Sequence, residues 1–377
     1  MKNIVLSVLF LFAASSIYAA PVANSIVKIG VIVNTNSANI GASANFSISD
    51  AKGKKLNLSK GLTRLSYSGG VVSVENNKLT LPLRVESDRG LLYANKTAYR
   101  GYFLIVKSQQ GGIAVINVLK LEDYLKGVVP RESDAKWPIE TLKSQSVISR
   151  TYTLANLGKH SAQGFDLCAQ THCQVYGGAS AESPLSNEAV SETANQVLTY
   201  NGKYAQTVFH ANCAGHTENP RYVWGWTDVP KYLEGVKCGF CKDAPYSQWE
   251  TLIEEDFIRR QLLKTEKGIG EILEIKPEGK TPGGSAIEVI VKHTKGEIRL
   301  NAYRFRLLTD AWKIKSNTFK EIKKTEGSFY FSGFGWGHKV GLCQWGARGM
   351  GLDGKTHNQI LQFYYPGTEI EIVKYRN

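Results

Sequence analysis

Glu132 is the residue in this 377-residue chain best placed to do chemistry. It lies in GVVPRESDAKWP, between Pro130 and Pro138, just ahead of Ile139–Asn156, a stretch without Gly or Pro. A carboxylic acid beside a glycosidic oxygen can protonate the leaving group. Most glycosidases add a second carboxylate, but one acid that becomes a base can suffice if the sugar's own hydroxyl attacks. Val128, Val129 and Trp137 would raise the pKa of Glu132 by desolvation, whereas Arg131, Lys143 and Arg150 would lower it. The competing reading makes Glu132 a structural ion-pair partner of Arg150. Glu122 and Asp123 read as acids at a helix start, Asp134 as a turn former and Glu140 as a first-turn acid.

The stretch after Pro138 predicts a helix, with Pro138 in its first turn. Lys143 and Arg150 share one side with Ile139, Val147 and Leu154, while Ile148, Tyr152 and Ala155 cover the other. Ser144, Ser146 and Ser149 lie between, so the helix should be packed on more than one face. Its two cations then need acidic groups or an anionic ligand.

Six cysteines are present: Cys168, Cys173, Cys213, Cys238, Cys241 and Cys343. In an exported chain an even count permits disulfides. DLCAQTHC also has the look of a metal loop, with His172 and His160 near its two thiols. Cys238-x-x-Cys241 with Cys213 reads as a disulfide system or a second metal site; no thioredoxin-like strand and helix surround it. His210, His216 and His338 could mimic a triad or a metal site, but a cysteine-protease reading of Cys343 lacks support. Trp224, Trp226, Trp336, Trp345, Tyr364 and Tyr365 could stack on sugars or serve as core, with Trp336 and Trp345 the preferred stacking candidates.

GVVPRE followed by WPIETLKSQSVISRTYTL resembles the signature of the SpoIID/LytB family of cell-wall proteins. HANCAGH, YRFRLL, KSNTF and GFGWGHKVGLCQWGA…ILQFYYPGT resemble its later elements, so the likeness covers roughly three quarters of the chain. The family includes peptidoglycan lytic transglycosylases and proteins that stimulate a partner amidase. The resemblance implies that Glu132 is the catalytic acid and then base, cleaving the MurNAc–GlcNAc bond with a 1,6-anhydro product. The alternative is a non-catalytic murein-binding activator of an N-acetylmuramoyl-L-alanine amidase, and a third reading is a structural wall anchor. By the same likeness Lys143 and Arg150 bind substrate or form internal ion pairs, and His210, His338 and Gln344 line a glycan cleft. Some relatives are thought to bind zinc through one His and two Cys. The equivalents are Cys168, Cys173 and His160, preferred over His172, with a Cys168–Cys173 disulfide as the competitor. The departures are Ala211 for Ser, Ala214 for Gly, Lys339 for Gly and Cys343 for Ser, and Lys339 adds bulk and charge to a glycine-dependent loop.

The elements that must carry these residues are mixed. Residues 1–20 pair a lysine with a short apolar run and small residues, as a signal peptide does, and no later run is long enough to span a bilayer. Residues 21–112 read as short strands separated by Gly, Asn, Asp and Ser, a β-rich region for packing or wall binding. Residues 113–377 form the SpoIID-like core: a strand IAVINV, a short helix Leu121–Val128, the long buried helix, a helix over Glu250–Leu263, and a glycine-rich block that Thr356 follows as a helix cap. Eight glycines between Gly333 and Gly354 are too many for an ordinary helix or strand. The fold class is therefore α+β. The net charge of +13 suits murein carboxylates, teichoic acids or lipid headgroups better than nucleic acid in an exported protein. The expected location is periplasm, cell wall or exterior.

Overall fold

The computed structural model describes residues 22–376 apart from position 246; the expected signal peptide lies outside the described residues. The fold is α+β. Two sheets form the β-rich region. One has six strands in the order 97–99, 92–94, 37–42, 61–68, 71–74, 77–80. The other has seven, in the order 167–168, 26–35, 113–120, 102–107, 83–86, 46–49, 55–58. The run KLTLPLRV, one strand by pattern, divides around Pro82, which has no N–H to give a ladder. Its first half, Asn77–Thr80, joins the six-stranded sheet and its second, Leu83–Glu86, the seven-stranded one.

Ile113–Lys120 is buried at every position but the last, because it pairs with Tyr102–Lys107 on one side and Ile26–Thr35 on the other. The sheet therefore runs across residue 112. Val27, Phe103 and Val118 from the sheet share one apolar core with Tyr124, Val128 and Leu142 from the helices that follow.

Helix α1 (Leu121–Glu132) continues directly from that strand. It extends past the expected end at Val128, through Pro130, so Glu132 is its last residue rather than part of a separate segment. Helix α2 (Ile139–Ala155) starts just after Pro138 and buries twelve of its 17 residues. Burial on nearly every face is tolerable because its hydroxyls are satisfied locally. Ser144, Ser146, Thr151 and Thr153 each donate to the carbonyl four residues back at 2.8–2.9 Å. Leu142 and Leu154 face the first core; Val147 and Ile148 face a second, built with Val340, Leu342, Ile360, Leu361 and the four later cysteines.

A third core fills the region 249–331. The expected helix over Glu250–Leu263 is half strand. Gln248–Glu254 alternates exposed and buried residues and pairs antiparallel with Ser328–Phe334, and only Glu255–Leu262 is helical. The glycine-rich block also departs from expectation, since Gln344–Leu352 is a helix. Its glycines permit close approach: a methyl on Gly349 would strike the Phe240 carbonyl, and one on Gly351 would lie 3.0 Å from Pro138. The last helix, His357–Tyr364, begins with a capping box between Thr356 and Gln359, as expected from Thr356. Among the described residues no helix is long and apolar enough to cross a membrane.

Candidate functional site

A cleft of about 820 Å³ runs between the α1–α2 body and the third core. Glu132 stands at one end, His210, His338 and Gln344 form the middle wall, and Trp224, Trp312, Trp336 and Arg306 line the far side.

The Glu132 carboxyl is held at one oxygen: Oε1 accepts a 2.7 Å hydrogen bond from the Val175 N–H. Among the described residues no donor is found on Oε2. The Glu132 carbonyl accepts from Gln344 Nε2 at 2.8 Å, which ties the end of α1 to the glycine-rich block. Burial raises the carboxyl to about 7, against the lowering effect of the Val175 N–H and the Arg131 charge. Its place at a helix C-terminus acts in the same direction as burial, since that end of the helix dipole disfavours an anion. Near neutrality a large share of the molecules carries a protonated Glu132, the form a general acid needs.

His210 is buried, with Nδ1 3.1 Å from the Val340 carbonyl. That contact places the ring proton on Nδ1 and leaves Nε2 a bare acceptor, a buried atom without a hydrogen-bond partner among the described residues. Burial, with His338 beside it, pushes its pKa well below the usual value, so the ring is neutral. His338 lies 5.6 Å away, ring to ring, and its Nδ1 accepts from the Val340 N–H at 3.1 Å. Burial pushes His338 down to about 4.

Lys143 and Arg150 lie outside the cleft lining and take the ion-pairing alternative. Lys143 binds Glu140 and Glu192, each at 2.7 Å. Arg150, fully buried, makes a two-pronged contact with Glu122 at 2.8 and 2.7 Å and donates to the carbonyls of Gln196 and Val190. Glu132 is therefore not its partner.

The first cysteine loop reaches the same cleft. The ligand atoms of His160, Cys168, His172 and Cys173 all lie within 4.8 Å of one another, and Cys173 and His172 line the cleft beside Glu132. His160 Nε2 sits 3.4 Å from the Cys173 sulfur, while its Nδ1 faces Gln163 Oε1 at 2.8 Å, an outer contact that orients the ring. His172 Nδ1 is 3.5 Å from the same sulfur, so both histidines reach the pair. Two sulfurs and two ring nitrogens at this spacing fit zinc.

Several cleft residues went unread in the sequence. Trp312, Arg306, Tyr303 and Tyr152 line it, contributed by segments that pattern alone marks as connecting elements or helix surface. Of the aromatics singled out earlier, Trp224 and Trp336 line the cleft. Trp345 instead packs on Trp137 at 5.1 Å, Trp226 on Trp224 at 5.4 Å, and Tyr364 and Tyr365 are core. His216 turns to its neighbour's carbonyl, with Nδ1 2.6 Å from Thr217 O.

The departures from the family pattern have a physical reading. Ala214 and Lys339, which stand where glycine is usual, keep left-handed backbone with φ of 54° and 64°. Lys339 does not fill the cleft; its amine turns inward, donating to Gly283 O, Ser285 Oγ and Thr318 Oγ1 and pairing with buried Glu218 at 3.5 Å. Restoring glycine would relieve about 1 kcal/mol of backbone strain but strand Glu218 as a buried charge, a loss of about 3–5 kcal/mol. Lys339→Gly is thus expected to cost roughly 2–4 kcal/mol in urea unfolding; a gain in stability would show that the strain outweighs the pair.

Residues 109–200 match the Stage II sporulation protein (SpoIID) family, a span holding Glu132, all of α2 and the first cysteine loop. The chain is 34% identical over 257 residues to an uncharacterized protein of Brachyspira hyodysenteriae, covering 68% of each. It is 30% identical to the amidase enhancer of Bacillus subtilis over 65% of this chain and 40% of that relative. It is 29% identical to stage II sporulation protein D of Bacillus subtilis, over 67% of this chain and 74% of the other. With the signature helix, the acid a few residues ahead of it and relatives matched over about two thirds of its length, this chain belongs to the SpoIID family.

Proposed function

We propose that this protein is an exported peptidoglycan lytic transglycosylase in which Glu132 is the general acid and then the base. The observation that carries the reading is a carboxyl group standing in a long cleft, neutral in large part near pH 7 and, among the described residues, hydrogen-bonded at one oxygen. Protonated Glu132 gives its proton to the MurNAc–GlcNAc oxygen as that bond breaks. The resulting carboxylate then takes the proton of the sugar's C6 hydroxyl as that oxygen attacks the anomeric carbon, closing the 1,6-anhydro ring without water. The bare Nε2 of His210 supplies an acceptor for a sugar hydroxyl, and buried Arg306 supplies positive charge to murein carboxylates. Gln344 is a positioning residue, since it holds the Glu132 backbone.

The His160, Cys168, His172 and Cys173 donors would hold a zinc ion. When bound, it would brace their loop beside Glu132 as an overall neutral centre, its two charges balanced by the two thiolates. Absence of zinc by elemental analysis, with Cys168 and Cys173 found as a disulfide, would remove it.

A second reading, activation of a cell-wall amidase, draws on the similarity to an amidase enhancer. Digestion of purified murein with mass analysis of the products separates the two. Anhydro-muropeptides support the enzyme; none, but faster stem-peptide release once an amidase is added, supports the activator.

Trp312 is 70% exposed yet lines the cleft, set edge-on to Trp336 with centroids 6.3 Å apart. As a stacking platform it is worth about 1 kcal/mol, so Trp312→Ala should weaken binding of solubilised glycan strands about fivefold. Unchanged affinity by calorimetry would take Trp312 out of the binding surface.

A further inference from the structure

We propose that Cys213, Cys238, Cys241 and Cys343 form a closed four-thiolate zinc centre directly behind the cleft wall. The four thiols come from three separate segments of the chain and meet in the second core, every one of them buried. Their sulfurs all lie within 4.8 Å of one another, with Cys213 to Cys241 at 3.6 Å and Cys238 to Cys241 at 3.9 Å. Thiolates arranged tetrahedrally around zinc at about 2.3 Å stand about 3.8 Å apart, which matches these spacings. A disulfide needs about 2.0 Å and would sort the four into two pairs; Cys241 is instead almost equally near two partners. An iron–sulfur cluster would spread its thiolates farther, because the inorganic core lies between them.

The surroundings suit the charge that such a centre carries. Cys343 caps the N-terminus of the Gln344–Leu352 helix, where an anion is favoured, and its sulfur accepts from the N–H groups of Gly346 and Cys213, each at 3.3 Å. The Tyr364 hydroxyl lies 3.2 Å from the Cys238 sulfur. Contacts of this kind stabilise thiolates and orient them. Binding is proton exchange only: the thiols release protons to solvent as the Zn–S bonds form, and nothing is oxidised. With all four positions filled by protein the ion has no place for substrate, so its role is structural.

That role bears on the cleft. The strand Phe209–His210 pairs in parallel with Leu342–Cys343, setting His210 opposite Cys343. Gln344, which holds the end of α1, follows Cys343 directly. The centre thus pins two wall segments to the Cys238–Cys241 loop behind them. The inference stands whether or not the cleft is catalytic.

The test uses the full chain carrying Cys168→Ser and Cys173→Ser, which removes the thiolates of the other donor set. Purified without added metal or chelator, it should retain one equivalent of zinc. Its cobalt-substituted form should show the intense charge-transfer and visible bands of four-thiolate tetrahedral cobalt. Adding Cys241→Ser or Cys343→Ser should abolish the stoichiometric zinc. If those variants fail to fold, the parent's zinc content, its cobalt spectrum and a non-reducing peptide map still decide. No zinc in the parent, or disulfides among Cys213, Cys238, Cys241 and Cys343, would overturn the proposal; so would a cobalt spectrum with fewer than four thiolates. Absence of murein cleavage by the unsubstituted chain, with this zinc retained, would count against the catalytic reading alone.

Discussion

Glu132→Gln is expected to lower anhydro-muropeptide release from purified murein by about a thousandfold, the scale at which a positioned acid–base group works. The amide keeps an oxygen for the Val175 N–H, and the bond from Gln344 goes to the backbone, so the cleft should keep its shape. In the unsubstituted protein the rate should fall as pH rises past about 7, where the carboxyl loses the proton it must donate. Stability should follow the same group. Its pKa rises from an ordinary 4.5 to about 7 on folding, so the folded state holds more protons than the unfolded one across that window. Stability falls as pH climbs through it, by up to about 3 kcal/mol, and changes little from this source above it. Glu132→Gln removes the penalty, so relative to the parent the variant should gain stability at pH 8 over its standing at pH 4. Full cleavage activity in the variant would end the catalytic reading; a parallel shift of both proteins with pH would end the electrostatic one.

Glu122→Gln is expected to be the most destabilising single change on the α1–α2 body. Arg150 would keep at most one neutral amide oxygen in place of the two-pronged carboxylate contact while remaining buried, so a full charge would face neutral oxygens alone. Breaking such a pair from the side that strands the buried ion costs about 3–5 kcal/mol. Arg150→Met should cost less, because the methionine fills apolar space and the abandoned Glu122 side chain, 29% exposed, can turn to water. Urea unfolding of both variants checks the order. Equal losses, or none, would show that the pair is not what holds α1 to α2. Folded Glu122→Gln should still bind glycan strands, because neither partner lines the cleft.

The helix after Pro138 and the Thr356 cap were legible in the sequence because each rests on neighbours a few residues away. The partner of Arg150 was not. Glu122 has the ordinary look of an acid at a helix start, and only the fold shows that it faces a guanidinium 28 residues on. Gln248–Glu254 failed for a different reason: its acids and leucine suit a helix locally, and pairing with Ser328–Phe334 overrides that preference. Cys343 reads alone as a replacement for serine, since its three companions lie more than a hundred residues upstream. Trp312 and Arg306 join the cleft only because the third core packs against the first two. Lys339 read as added bulk and charge in a glycine-dependent loop, and the direction of its side chain could not be read from its position in a motif.

The unbroken passage from the strand Ile113–Lys120 into α1 ties the acid to a distant foundation. That strand is clasped by residues 26–35 and 102–107, so whatever steadies the β-layers also steadies the carboxyl at the far end of the helix. The amino-terminal part of the molecule is a footing for the cleft and its carboxyl, not a passenger. Remodelling of those layers, by evolution or by design, would be felt in where that carboxyl stands.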